Sequence, residues 1–244
     1  MPFMTWSLRL RMLVPGILLV AVPMLVLAVI QWQQTHAGMA VGERIASGLA
    51  KDQLDAALQQ IHRVITVQDR MQRQQLATAL RIADDRVQRA GGFALREEEP
   101  LAWTAVDQFS EQSQRLSLPA MYLGDQALGQ VRRFDEAVVP LIDPVTAQTG
   151  LTVTVFQDMG AAAGLLRVAT SVRKDGQRAI GTFIPDRRPD GSADPVVASL
   201  RAGETYRGRA FVVDRWYLTV YRPIHIDGDF AGALYVGVPM EQLT

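Results

Sequence analysis

From Leu151 to Val238 the hydropathy pattern of the chain has a period of two. Six short stretches carry it: LTVTVFQ, LLRVATSV, RAIGTFIP, TYRGRAFVV, WYLTVYRPI and GALYVGV. Alternation of this kind sends successive side chains to opposite faces of a strand, so the block dictates a small twisted sheet. The breaks between the stretches are turns. Lys174-Asp175-Gly176 contains the Asp-Gly pair of tight hairpins, and Val213-Asp214-Arg215 and Asp227-Gly228-Asp229 link the last strands. Pro189-Asp190-Gly191 marks a longer loop, and Pro195 to Ala202 predicts a short helix stopped by Gly203.

Upstream the period changes. Val41 to Ala90 has no proline and reads as helix, with Gly91-Gly92 as its stop. Leu54, Leu58, Ile61 and Ile65 follow a coiled-coil seam, and Leu76, Leu80, Ala83 and Val87 repeat it with a stutter. We expect the membrane-proximal part to pair with a second copy, giving a homodimer, and the distal part to pack on the chain's own sheet. A second helix is expected from Pro100, after the acidic Glu97-Glu98-Glu99, with Trp103, Val106 and Phe109 on one face. The segment SLPAMYLGDQALGQV reads as loop with a short strand. Asp143-Pro144 reads as an N-cap with proline at the first helical position, starting a short helix that Gly150 ends.

The N-terminus carries a different signal. Met12 to Ile30 is a run of 19 residues without charge. At about 1.5 Å per residue it nearly spans a hydrocarbon core of roughly 30 Å. Arg9 and Arg11 precede it, which by the positive-inside rule keeps the N-terminus cytoplasmic and exports the rest. The run is longer than the apolar region of a cleaved signal peptide, and QWQQTHAGMA is a weak cleavage site. The expected organisation is a cytoplasmic 1–11, a transmembrane anchor 12–31, a long helix 32–92, a sheet domain with short helices 93–240, and a link toward a possible second span at 241–244. The class is α+β.

Composition excludes several functions. Arg9 and Arg11 face no acid before Glu43, and the remainder holds 23 bases against 25 acids, which offers nucleic acid no electrostatic footprint. There are no cysteines, so disulfides, Cys-zinc sites and Cys nucleophiles are absent. His36, His62 and His225 are isolated from one another and from metal-ligand spacing. No GxSxG, P-loop or strand-following GxGxxG occurs. The chain therefore reads as a non-enzymatic module without cofactor or metal.

In order and spacing, TVTVFQ, LLRVATSVRKDGQRAIGTFIP, PDG, TYRGRAFVVDRWYLTVYRPI and GALYVGV resemble the extracellular Cache sensor domain of the Cache 3/Cache 2 fusion type. LPAMYLG, LGQV and LIDPVTAQTG are similar to it as well. The resemblance covers residues 35–240. It implies a long N-terminal helix on a PAS-like antiparallel sheet of five to six strands, a small ligand bound on the sheet, and no cofactor. It also implies a periplasmic or extracellular position at the front of a chemoreceptor, sensor kinase or diguanylate cyclase. A stand-alone anchored binding or protein-interaction module is the alternative.

Strand alternation sorts the ligand candidates. On LLRVATSV, Arg167, Ala169, Ser171 and Arg173 share one face, while Leu166, Val168, Thr170 and Val172 share the inward one. Arg178, Ile180 and Thr182 share a face, as do Tyr206, Gly208 and Ala210, and Tyr217, Thr219 and Tyr221. Hydroxyls around an inward arginine make a cup for a carboxylate, because the guanidinium offers a two-pronged fork. The candidate set is Arg178, Thr182, Tyr206, Tyr217 and Tyr221, with Thr170 and Arg167 behind them. Each has an ordinary structural alternative, since strand tyrosines commonly pack and strand arginines commonly pair at the surface.

Overall fold

The structure, a computed structural model, describes residues 22–33, 59–60, 62–63, 67–160 and 163–243. The chain divides into two compact units, Met1–Gln68 and Asp69–Thr244. In the first, residues 22–33 are helical and carry exposed Met24, Leu25, Leu27 and Trp32. Among the described residues no helix is long and apolar enough to cross a membrane. Most of the Met12–Ile30 run, and the seam residues Leu54, Leu58, Ile61 and Ile65, lie outside the described residues.

The second unit is built on one sheet. Residues 67–89 are helical (α1), and those from Asp69 on belong to this unit. The helix ends as the glycine pair predicts: Gly92 N–H donates to the Val87 carbonyl at 2.9 Å and Gly91 N–H to Gln88 at 3.2 Å, a Schellman motif. Then come β1 (Phe93–Asp107), β2 (Ser113–Leu123), β3 (Gln126–Leu128), α2 (Ile142–Thr149), β4 (Thr152–Asp158), β5 (Leu165–Thr170), β6 (Arg173–Lys174), β7 (Gln177–Arg178), β8 (Thr182–Ile184), α3 (Pro195–Arg201), β9 (Tyr206–Val212), β10 (Arg215–Ile226) and β11 (Asp229–Pro239). The main sheet has nine strands in the order β3-β2-β1-β8-β5-β4-β11-β10-β9; β6 and β7 form a separate hairpin. All neighbours are antiparallel except β1 and β8.

The sheet is larger than the five to six strands expected because the segment read as a second helix is β1. Trp103, Val106 and Phe109 suggest a helical stripe, but the buried residues are Trp103 and Ala105 between exposed Ala102 and Thr104, a period of two. The acidic run does not start a helix either. Arg96 pairs with Ala120 and Pro100 with the next residue, Pro119, so Glu97, Glu98 and Glu99 loop out as a bulge. Proline is tolerated at such an irregularity because no ladder hydrogen bond is asked of it there. The glycine-punctuated SLPAMYLGDQAL segment supplies the partner strands β2 and β3. Helix α2 begins before the expected cap: Leu141 is the N-cap, and Asp143 lies inside the first turn.

Each face of the sheet carries a core. On one face Leu76, Ala79, Leu80, Ala83 and Val87 of α1 pack with Val153, Val155, Leu218, Val220, Leu234 and Val236. The distal seam thus packs on the chain's own sheet. On the other face Phe156, Tyr217, Tyr221 and Tyr235 pack with Val196, Val197 and Leu200 of α3. Asp194 caps α3, its carboxylate accepting from Val196 N–H at 2.9 Å and Val197 N–H at 3.3 Å.

Candidate functional site: a buried arginine among tyrosines

The α3 face of the sheet carries a row of hydroxyls. Register pairs Thr170 of β5 with Thr154 of β4, Thr154 with Tyr235 of β11, Tyr235 with Tyr221 of β10, and Tyr221 with Tyr206 of β9. The three rings touch in sequence, with centroids 4.8 Å apart for Tyr235 and Tyr221 and 6.0 Å for Tyr221 and Tyr206. Thr154 and Thr170 share a 2.6 Å hydrogen bond, and the Tyr206 hydroxyl donates to the Arg209 carbonyl at 2.7 Å. The Tyr235 hydroxyl lies 3.2 Å from Thr152 Oγ1. It also lies over Gly237, where an added Cβ would come within 2.1 Å of it. That glycine is what lets the ring lie down along the strand.

Arg167 sits beside this row. Unbroken alternation would put it opposite Thr170, but the register of β4 against β5 slips: Val155 pairs with Ala169 and Phe156 with Arg167. The slip is a β-bulge at Val168, so Val168 and Ala169 both join the α1 core and Arg167 falls on the same face as Thr170. Its side chain is fully buried. Nη1 donates to Thr182 Oγ1, the guanidinium lies 4.9 Å from the Phe156 ring centre, and Tyr221, Tyr235 and Tyr217 stand around it. Nε and Nη2 have no partner among the described residues, and neither does the Tyr221 hydroxyl. Burial pulls the Arg167 guanidinium below its ordinary range. The same burial pushes the Tyr217, Tyr221 and Tyr235 phenols above theirs, which keeps them neutral donors.

Arg178 has a different place. Gly181 (φ +81°) turns the RAIGTFIP stretch, so Arg178 falls in the β6–β7 hairpin and Thr182 in the main sheet. The Arg178 fork is filled: Nη1 and Nη2 each donate at 2.8 Å to the two oxygens of Asp143, and Nη1 donates to the Thr170 carbonyl at 3.0 Å. The pair ties α2 to the sheet. Of the expected residues, the fold gathers Arg167, Thr182, Tyr217, Tyr221, Tyr206 and Thr170 on one face, and pairs Arg178 with Asp143. Tyr235, Phe156 and Gln108 were missed. Tyr235 had a signal, because Tyr235-Val236-Gly237 repeats the Tyr206-Arg207-Gly208 pattern of the same face.

Next to this cluster lies a cavity of about 360 Å³, within the usual range of ligand pockets. Tyr221 forms part of its wall with Gln108, Ile184, Val196, Phe211 and Trp216. Trp216 is 52% exposed and sits at the rim. Arg188 and Asp194, also on the wall, pair with each other at 3.2 Å. Among the described residues no group of three metal-ligating side chains occurs.

A helix packed on one face of an antiparallel sheet is the arrangement the resemblance implied; the hydroxyl-lined cluster lies on the other face. The model of the Cache 3/Cache 2 fusion domain family matches residues 43–244. The chain belongs to that family. Cache domains are extracellular ligand-sensing modules of signalling receptors; they bind small molecules and are not catalytic. Neither a curated protein nor a solved structure matches the chain.

Proposed function

We propose that this Cache domain senses a small carboxylate, held between Arg167 and the Tyr221 hydroxyl and reached through the neighbouring cavity. The observation that carries the reading is the buried, uncompensated guanidinium. A charge taken out of water is costly unless paired, and here two of its nitrogens and a phenol beside it lack partners. A carboxylate supplies the missing charge and two acceptors for charge-assisted hydrogen bonds. Thr182, Tyr217, Tyr206 and Thr170 complete the surrounding polar wall, and Arg178 acts through Asp143 as a support. No protein carboxylate has to leave the cluster for the ligand to enter.

The wider reading is a membrane-anchored periplasmic sensor of a bacterial receptor of the chemoreceptor or sensor kinase and cyclase type. It dimerises through the membrane-proximal part of the long helix. The uncharged run behind Arg9 and Arg11 and the family's place in receptors support it. The test is thermal unfolding of the full chain in detergent with acetate, propionate, pyruvate and phenylacetate. At least one should raise the midpoint in the wild type and none in Arg167→Met. A full shift retained by Arg167→Met, or no shift by any of them in the wild type, overturns the proposal.

A further inference from the structure

The cavity walled in part by Tyr221 carries a second, independent polar requirement. Gln108, the first residue after β1, is about nine-tenths buried and lines the cavity. Its Nε2 donates to the Phe211 carbonyl at 3.3 Å, which fixes the amide orientation, so its Oε1 is the acceptor, and that oxygen has no partner. A buried lone acceptor asks for a donor. Around it the wall is aromatic and apolar. Phe109 and Phe211 stack with centroids 6.1 Å apart and planes at 22°, and Trp216 meets Phe211 edge-on at 5.9 Å. Ile184, Val196 and Ala210 supply aliphatic surface.

The charges on this wall cancel. Arg188 and Asp194 pair with each other, and Asp194 also accepts from two backbone N–H groups of α3. The Arg188 charge is offset by Asp194 through Nε, and a ligand ammonium finds no free anion on the wall. The donor that reaches Gln108 is therefore neutral.

Resting on the reading that Arg167 takes the carboxylate, we propose that the ligand is a hydroxyaryl monocarboxylate. Its ring lies among Phe109, Phe211 and Trp216, and its hydroxyl donates to Gln108 Oε1. Gln108 is then the residue that sets specificity for the far end of the ligand, as Arg167 does for the near end. A pocket that binds a hydroxyl through a buried acceptor rejects the analogue lacking it, because the acceptor is left bare.

Calorimetric titration of the full chain in detergent tests this with 4-hydroxyphenylacetate, phenylacetate, 4-methoxyphenylacetate and acetate. The hydroxyl compound should bind about ten- to a hundredfold tighter than phenylacetate, and the methoxy compound, which cannot donate, no better than phenylacetate. In Gln108→Leu the advantage of the hydroxyl should vanish while phenylacetate still binds. Equal affinity of the hydroxy and methoxy compounds in the wild type overturns the inference even if Gln108→Leu fails to fold. Acetate binding as tightly as the aryl acids overturns it as well but leaves the carboxylate reading standing. Failure of all four overturns both.

Discussion

At the residue scale the two candidate arginines differ in their partners: Arg178 is paired with Asp143, and Arg167 is buried without a counter-ion. Arg178 and Arg167 were both legible as candidates, but their order could not be read from sequence. A period of two has no memory of a bulge, and the slip at Val168 turns Arg167 onto the hydroxyl face. Nor does sequence spacing reveal that Asp143, 35 positions away, fills the Arg178 fork. The two arginines therefore answer substitution in opposite ways. Arg167 is buried without a counter-ion, so Arg167→Met should raise the stability of the ligand-free protein, by about 1–2 kcal/mol, since apolar replacement of buried charge is often stabilising. Thr182 keeps a partner, because its hydroxyl also donates to the Ala179 carbonyl at 2.9 Å. Chemical denaturation reads the difference; a loss of more than about 1 kcal/mol in Arg167→Met would mean that the guanidinium holds the core together rather than waiting for an anion.

At the scale of elements, the strands after Leu151 were legible because their turns are chemical. Asp175 and Gly176 both take positive φ, as do Asp227 and Gly228, the backbone that twisted two-residue hairpins require. Strand β1 was not legible, because Ala102 and Ala105, one on each face, leave too weak an amphipathic signal to compete with a chance helical spacing of Trp103, Val106 and Phe109. The placement of α2 depends on Arg178 and Asp143 more than on its own cap, since Leu141 offers no side-chain hydrogen bond. Asp143 also accepts from the Val139 N–H at 2.8 Å. Asp143→Ala leaves Arg178, whose side chain is 1% exposed, buried and unpaired, and should cost about 3 kcal/mol. Adding Arg178→Met to Asp143→Ala should return most of that loss. A double variant no more stable than the single one would place the cost in the Val139 hydrogen bond instead.

At the scale of the whole domain the sheet is a wall between two cores, and the same strands build both. On β10, Leu218 and Val220 face the α1 core while Tyr217 and Tyr221 face the hydroxyl cluster; on β11, Leu234 and Val236 are backed by Tyr235. A sensor needs a ligand that is bound unequally by two arrangements of the protein. If the domain works as proposed, β10 and β11 are the strands expected to carry such inequality through the wall, because interdigitated cores do not deform without moving their neighbours. The edge at β3 and β2 lies at the far end of the strand order and carries no residue of the cluster. Two core truncations separate these roles. Leu80 of α1 lines a groove with Leu218 and Val220, directly behind the tyrosines, whereas Leu128, more deeply buried, belongs to the edge strand β3, which carries none of them. Leu80→Ala and Leu128→Ala should each cost about 2–4 kcal/mol in stability. Only Leu80→Ala should also change ligand affinity, by severalfold, through residues that never touch the ligand. Titration of both variants with the tightest-binding carboxylate decides it: unchanged affinity in Leu80→Ala would show that the α1 face and the hydroxyl face are energetically independent, and the route from ligand to helix would have to run around the sheet rather than through it.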